Sequence, residues 1–261
     1  MLAIPEIGKS GMEKLRQAHV FITGCGALGS LTAMYLAGAG IGKISIADFD
    51  TIDISNLQRQ LFYATTDVGK SKAETLAEKL ISLNPDCEIK YIKKMMTPSS
   101  AKIAYADCSF IIDATDNPSS KFMTDSVCHE LEIPYCIGGV AGFSGQVMSW
   151  SPGHAGYNDI FHPQGVESGF TPCSLGGVLG PAAGVIACCQ ASETIKHLTG
   201  SGEMLFDRLL TCLQCRATLL RSDDISVKMH IKLGKRKRET FLRQFCKESL
   251  VHIKIHAPII G

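Results

Sequence analysis

The sequence predicts an α/β fold, a mixed but mostly parallel sheet with helices on both faces, from three features of its 261 residues. Short, continuous apolar runs alternate with longer amphipathic patterns, as expected of strands covered on both faces. A glycine-rich turn, Gly24-Cys25-Gly26-Ala27-Leu28-Gly29, follows the first apolar run and opens a helical one. An acid, Asp48, stands at the end of the second run, nineteen residues after the last of those glycines.

Taken in order, residues 18–23 read as a buried strand, 27–39 as a helix and 43–48 as a second strand. Residues 69–83 read as an amphipathic helix, because Ala73, Leu76, Ala77 and Leu80 recur at three- and four-residue spacing. Strands follow at 88–92 and 109–113, the latter ending in the polar turn Asp116-Asn117-Pro118; a helix at 121–131 and a strand at 134–137 complete the alternation. The second part differs. Residues 144–150 alternate like an antiparallel strand, and 151–177 read as a polar, Gly/Pro-rich loop of a length usual for functional or mobile segments. A buried helix is predicted over 178–198 and strands at 204–206 and 218–221. From Ser222 the chain is more charged and ends in an apolar stretch at 251–260; there is no internal repeat.

Composition excludes several classes. A hydrophobic fraction of 45% excludes disorder, and a formal net charge of +1 excludes a nucleic-acid binder driven by a basic field. The longest uncharged stretch, 168–192, is interrupted by Pro172, Gln190 and several glycines. A spanning helix needs about 20 predominantly apolar residues, so no membrane association is expected. Eleven cysteines, an odd number, with no signal pattern over residues 1–16, predict a reducing, cytoplasmic setting. The basic run at 235–238 reads as a solvated turn or helix start, with docking of an acidic partner as the alternative.

In its strand-to-helix context the glycine turn is Rossmann-like. The first glycine permits the turn, the second lets backbone approach phosphate, and the third permits close helix–strand packing. Asp48 is placed to accept hydrogen bonds from ribose hydroxyls, which together with the turn points to an adenosine-containing ligand. Asn56, Arg59, Lys72 and Asp116 then cluster near strand ends and helix starts, the edge at which open parallel sheets bind ligands. Guanidinium and ammonium groups clamp phosphates, and a carboxylate beside them can hold Mg²⁺. This set suits a triphosphate undergoing displacement and is excessive for a hydride carrier.

The segments Gly24–Gly29, Asp48-Phe49-Asp50, Ser55-Asn56-Leu57-Gln58-Arg59-Gln60, Lys70/Lys72, Asp116-Asn117 and Thr171-Pro172-Cys173 together resemble the ThiF/MoeB/HesA family, from about residue 4 to residue 218. These are E1-like adenylyltransferases that activate ubiquitin-like sulfur-carrier proteins. The resemblance implies the E1 activating-enzyme fold, with an eight-stranded sheet, in a homodimer. Residues 1–221 would form the adenylyltransferase domain and 222–261 a divergent C-terminal tail. It implies ATP and Mg²⁺ as ligands, and as partner a carrier with a C-terminal Gly-Gly, in thiamine, molybdopterin or related sulfur pathways. Gly24, Gly26, Ala27 and Gly29 would lie against adenosine and phosphate, and Asp48 would hold the ribose. Asn56, Arg59 and Lys72 would contact phosphates, with Ser55 and Asn117 beside the ATP; Arg59 and Lys72 would act in catalysis, and Asp116 would bind Mg²⁺. Cys173 would take part in a later thioester or sulfur-transfer step.

Two departures from the family pattern stand out. Members commonly carry paired Cys-x-x-Cys segments on zinc, but residues 156–161 hold no cysteine, and Cys212/Cys215 form an isolated pair, with only His154 and His162 nearby. Zinc is therefore not expected. The family's N-terminal arginine segment is also not found, since the first arginine is Arg16. Two alternatives stay open: adenylylation of another carboxylate, such as a peptide or RNA-linked amino acid, and a non-catalytic relative that binds nucleotide and carrier.

Overall fold

The computed structural model describes residues 1–161 and 177–213. Seven strands form one sheet in the order β3-β2-β1-β4-β5-β6-β7. They are β1 His19–Thr23, β2 Lys43–Ala47, β3 Glu88–Ile92, β4 Phe110–Asp113, β5 Tyr135–Ala141, β6 Ser144–Trp150 and β7 Leu210–Leu213. The pairs from β3 through β5 are parallel, and β6 and β7 add an antiparallel hairpin extension. Among the described residues the α-helices are α1 Gly8–Gln17, α2 Gly29–Ala39, α3 Lys72–Leu83, α4 Pro98–Tyr105, α5 Pro118–Leu131, α6 Tyr157–Ile160 and α7 Gly180–Thr199. Among the described residues no helix is long and apolar enough to cross a membrane.

The two-residue period of the central strands divides the core between the two faces of the sheet. Val20, Ile22, Ile44, Ile46 and Ile112 point toward one face, where Leu36 of α2, Leu76 and Leu80 of α3 and Ile186 of α7 pack on them. Phe21 and Ile111 point to the other, against Tyr105 of α4, Val127 of α5 and Trp150. Strands β1, β2 and β4 are accordingly buried almost without a break, whereas β3, at the edge, is largely exposed and carries charge. Such charges discourage pairing with a further strand.

The sequence elements fall close to their predicted places, with instructive exceptions. The strand expected at 204–206 is instead irregular chain leading into a turn, with Asp207 in left-handed backbone (φ 57°), and the strand begins at Leu210. Arg208 reaches back to Glu203 (2.6 Å) and His154 binds Asp207 (2.8 Å), so charged partners shape this turn where an apolar run suggested a ladder. Helices α1 and α4 were not expected. Helix α4 has a full N-terminal signature: Thr97 accepts from the Ser100 N–H (3.3 Å), and Pro98 sits in its first turn. The eight-stranded sheet implied by the resemblance compares with seven strands in the described residues. The strand expected at 218–221, Cys215, His162 and the tail from Ser222 lie outside them, as does Cys173.

Candidate functional site

A cavity of about 450 Å³ opens at the C-terminal ends of β1, β2 and β4. The order of the sheet explains the place. From β1 the chain crosses to β2 on one side, and β4 lies on the other, so the loops leaving these ends diverge and leave a crevice. Gly24, Gly26, Ala27, Asp48, Asn56, Arg59, Lys72, Asp116 and Asn117 all line it.

The glycine turn forms the floor. Gly24 has φ +92°, and a Cβ there would stand 3.0 Å from the Ala114 backbone, so only glycine fits between β1 and β4. Gly29 does not line the cavity: a Cβ on it would collide with the Gly24 carbonyl, and its role is to let α2 start close against the turn. The Asp48 carboxylate is held at both oxygens by backbone donors, Cys25 N–H (2.6 Å) and Asp50 N–H (2.8 Å). Burial nevertheless outweighs these donors and pushes its pKa above the ordinary carboxylate value. The thiol of Cys25 is itself buried and pushed up, which makes it filler in the turn.

The cations Lys72 and Arg59 line the same cavity. Ser71 caps α3, and Lys72 at its first position is buried, its Nζ 2.9 Å from Asp50 Oδ2. The backbone N–H of Lys72 also donates to the Asp50 carbonyl (3.0 Å), which fixes the helix start relative to β2. Asp53 caps a 3₁₀ turn over Ile54–Asn56, and this turn presents Asn56. Arg59 Nη1 donates to the Ser55 carbonyl (3.1 Å) and has no carboxylate within ion-pair reach among the described residues. Ser55, expected to touch ATP, is absent from the cavity wall; its carbonyl instead steadies Arg59.

Asp116 and Asn117 stand on the turn after β4. Asn117 caps α5, accepting from the Ser119 N–H (2.9 Å). Asp116 is exposed, and its carboxylate has no hydrogen-bond partner among the described residues. Sequence reasoning missed several wall residues. Asp50 is the partner of Lys72, and Lys94, Met95 and Met96 come from the β3–α4 connection, which carries no motif. Gln60 is buried in the wall facing Gly26, with its Oε1 unpartnered among the described residues. A buried acceptor without a donor is costly, so this wall suits an occupant that donates to it.

The donor set also fits a magnesium nucleotide. Among the described residues no three acidic, histidine or cysteine side chains gather into a metal cage. Mg²⁺ keeps most of its waters and takes one or two carboxylates together with substrate phosphates. Asp116, whose carboxylate has no partner among the described residues, lines the same cavity as Lys72 and Arg59 and meets that need.

The model of the ThiF family matches residues 1–230. The chain belongs to the ThiF family. This ThiF-family chain is 35% identical over 212 residues to the sulfur carrier protein ThiS adenylyltransferase of Escherichia coli (strain K12), across 79% of this chain and 84% of that protein. It is 34% identical over 210 residues to the SAMP-activating enzyme E1 of Haloferax volcanii, across 80% and 77%. It is 36% identical over 215 residues to the probable adenylyltransferase/sulfurtransferase MoeZ of Mycobacterium tuberculosis, across 80% of this chain and 55% of that protein. The chain thus spans about half the length of some curated relatives it matches. In fold it is similar to Escherichia coli MccB solved with ATP, with a TM-score of 0.71 at 23% identity, across 79% of this chain and 63% of that one.

Among the described residues no cysteine lines the cavity, although Cys25 lies within its glycine turn. Cys87 and Cys108 are buried and pushed up to about 11 and about 12, and Cys128 and Cys136 higher still, all by burial. Cys188 and Cys189 on α7 and Cys212 on β7 are half-buried. His154 pairs with Asp207 and stacks on Phe206.

Proposed function

We propose that this chain is an adenylyltransferase that activates the C-terminal glycine carboxylate of a small ubiquitin-like sulfur-carrier protein. A carboxylate oxygen attacks the α-phosphorus of ATP, a P–O bond forms, the bond to the β-phosphate bridge breaks, and pyrophosphate leaves with its electron pair. The observation that carries this reading is one cavity lined together by a ribose-type acceptor, Asp48, and the cations Lys72 and Arg59. The printed names of the relatives, ThiS adenylyltransferase and SAMP-activating enzyme E1, support the same chemistry and substrate class.

The roles follow from position. The glycine turn lets backbone approach the nucleotide, Asp48 accepts from the ribose, and Asn56, Arg59 and Lys72 draw the triphosphate to one wall. No protein nucleophile is needed, because orientation and charge stabilisation lower the barrier of such a displacement. Mg²⁺, when bound at Asp116, would supply neutralisation of phosphate charge. Burial of Lys72 strengthens its interaction with charge that builds on the phosphates, since less water screens it. The protein would act in the cytoplasm, as a homodimer.

The test is ATP–pyrophosphate exchange with carriers ending in Gly-Gly, comparing wild type with Asp116→Ala. Carrier-dependent exchange that falls at least roughly 100-fold in the variant is expected, the scale on which loss of a key electrostatic group acts. Absence of carrier-dependent exchange refutes the reading, and exchange that survives the substitution refutes the metal assignment.

A further inference from the structure

A buried ion pair joins Asp113, three residues before Asp116, to Lys121. Asp113, the last residue of β4, is fully buried, and so is nearly all of Lys121 on α5. Lys121 Nζ has three protons, and each has an acceptor: Asp113 Oδ1 (2.9 Å), the Thr115 carbonyl (2.7 Å) and the Gly138 carbonyl of β5 (2.7 Å). Asp113 Oδ1 also accepts from the Thr115 N–H (3.0 Å) and the Thr115 hydroxyl (2.8 Å). Its Oδ2 accepts from Ser120 Oγ (2.8 Å) and Thr124 Oγ1 (3.1 Å), and its backbone carbonyl accepts from Gln190 Nε2 on α7 (2.9 Å).

Every polar group of Thr115, the residue before Asp116, is therefore tied to this pair. The residue after it, Asn117, is fixed as the cap of α5. Asp116 sits between two held neighbours, and its own carboxylate has no hydrogen-bond partner among the described residues. A buried ion pair is a poor device for stability, because desolvation offsets much of the attraction, and apolar replacements of similar shape are often tolerated. The pattern instead serves geometry: the pair joins β4, β5 and α5 at the one turn that carries the carboxylate.

We infer that the buried Asp113–Lys121 pair is a positioning element that sets the Asp116 carboxylate at the cavity. This rests on the proposed role of Asp116 in nucleotide binding and exchange. Misplacement by about 1 Å of a group that orients a reaction can cost roughly 100-fold. A residue acting only through another has no effect once that other is gone.

The test is a double-mutant cycle of Lys121→Met with Asp116→Ala, read by ATP–pyrophosphate exchange and by calorimetric ATP affinity in Mg²⁺ and in EDTA. Alone, Lys121→Met is expected to lower kcat about 100-fold and to weaken ATP affinity in Mg²⁺ but not in EDTA. In the Asp116→Ala background it is expected to cost less than about threefold. The same loss in both backgrounds overturns the inference, as does an isolated Lys121→Met that keeps kcat. If the single variant does not fold, the cycle is run with Asp113→Asn/Lys121→Met, which removes both charges together. If wild type lacks carrier-dependent exchange, the proposed function fails on its own account, and the cycle is then read on Mg²⁺-dependent ATP affinity. Losses shared with Asp116→Ala support positioning there, and additive losses refute it.

Discussion

Replacing Lys72 by Met separates the electrostatic role of this side chain from its packing. The lysine is buried along its length and ends 2.9 Å from Asp50 Oδ2, on the wall of the cavity. A methionine of similar length preserves most of the apolar contact and removes the charge. At about 4 Å and an effective permittivity near 20, a lysine and a phosphate oxygen attract by about 4 kcal/mol. Asp50 competes for the same ammonium, so we assign about half, roughly 2 kcal/mol, to the nucleotide, which corresponds to about 30-fold in kcat/KM. Asp50 is half exposed and stays solvated without its partner, so the midpoint of thermal unfolding is expected to move little. Adding Asp50→Asn to Lys72→Met removes a carboxylate that then only repels the triphosphate, and should recover part of the loss. The assay is ATP–pyrophosphate exchange, paired with a thermal unfolding curve of each variant. A folded Lys72→Met protein within about threefold of wild type would refute the assignment of this cation to the phosphates.

Three further outcomes are expected. Gly29→Ala drives a methyl group into the Gly24 carbonyl and should destabilise by about 3 kcal/mol or more in urea titration, or prevent folding, before any effect on nucleotide is seen. Asp67 receives Lys79 (2.5 Å), Lys70 (3.1 Å) and the Ala64 N–H (3.0 Å), which hold its carboxyl well below the usual range. Its contribution is present above the unfolded carboxylate pKa of about 3.9 and is lost as pH falls through the lower folded value, so Asp67→Asn should shift the urea midpoint at pH 7 and much less at pH 2. Cys173→Ala should keep adenylate formation and lose any covalent carrier intermediate seen by non-reducing electrophoresis; loss of exchange in the folded variant would contradict that division.

The parts of the site that were legible in the sequence are those that backbone geometry imposes. Gly24 needs positive φ beside Ala114, and Asp48 sits where β2 ends, so both follow from the strand–turn–helix order alone. Arg59, Lys72 and Asp116 are charged groups at element boundaries, and their spacing put them at one sheet edge. Ser55 enters the expectation through the family motif it begins; it does not line the cavity, and its carbonyl accepts from Arg59. Asp113 and Lys121 were invisible for a different reason. A buried acid at a strand end and a lysine in a helix each look ordinary in sequence, and only folding brings them to 2.9 Å. Met95 and Met96 likewise enter the cavity because the parallel β2–β3 pairing carries their connection there. Helix α4 announces itself through Thr97, Pro98 and Ser100; α1 offers no such signal, since Ile7 provides no cap and only Gly11 and Leu15 are buried.

The exposed edge strand β3 has a bearing on how the site would come apart. Lys72 begins the helix that packs on that edge, while Asp48 and the glycine turn grow from the central strands. Structure tends to open locally where backbone is least covered, and here that is the β3 side. Fraying there would loosen Lys72 and leave the nucleoside cradle standing. The anchors of the nucleotide site would therefore differ in durability, and Lys72 is the one whose helix is seated at the margin of the sheet.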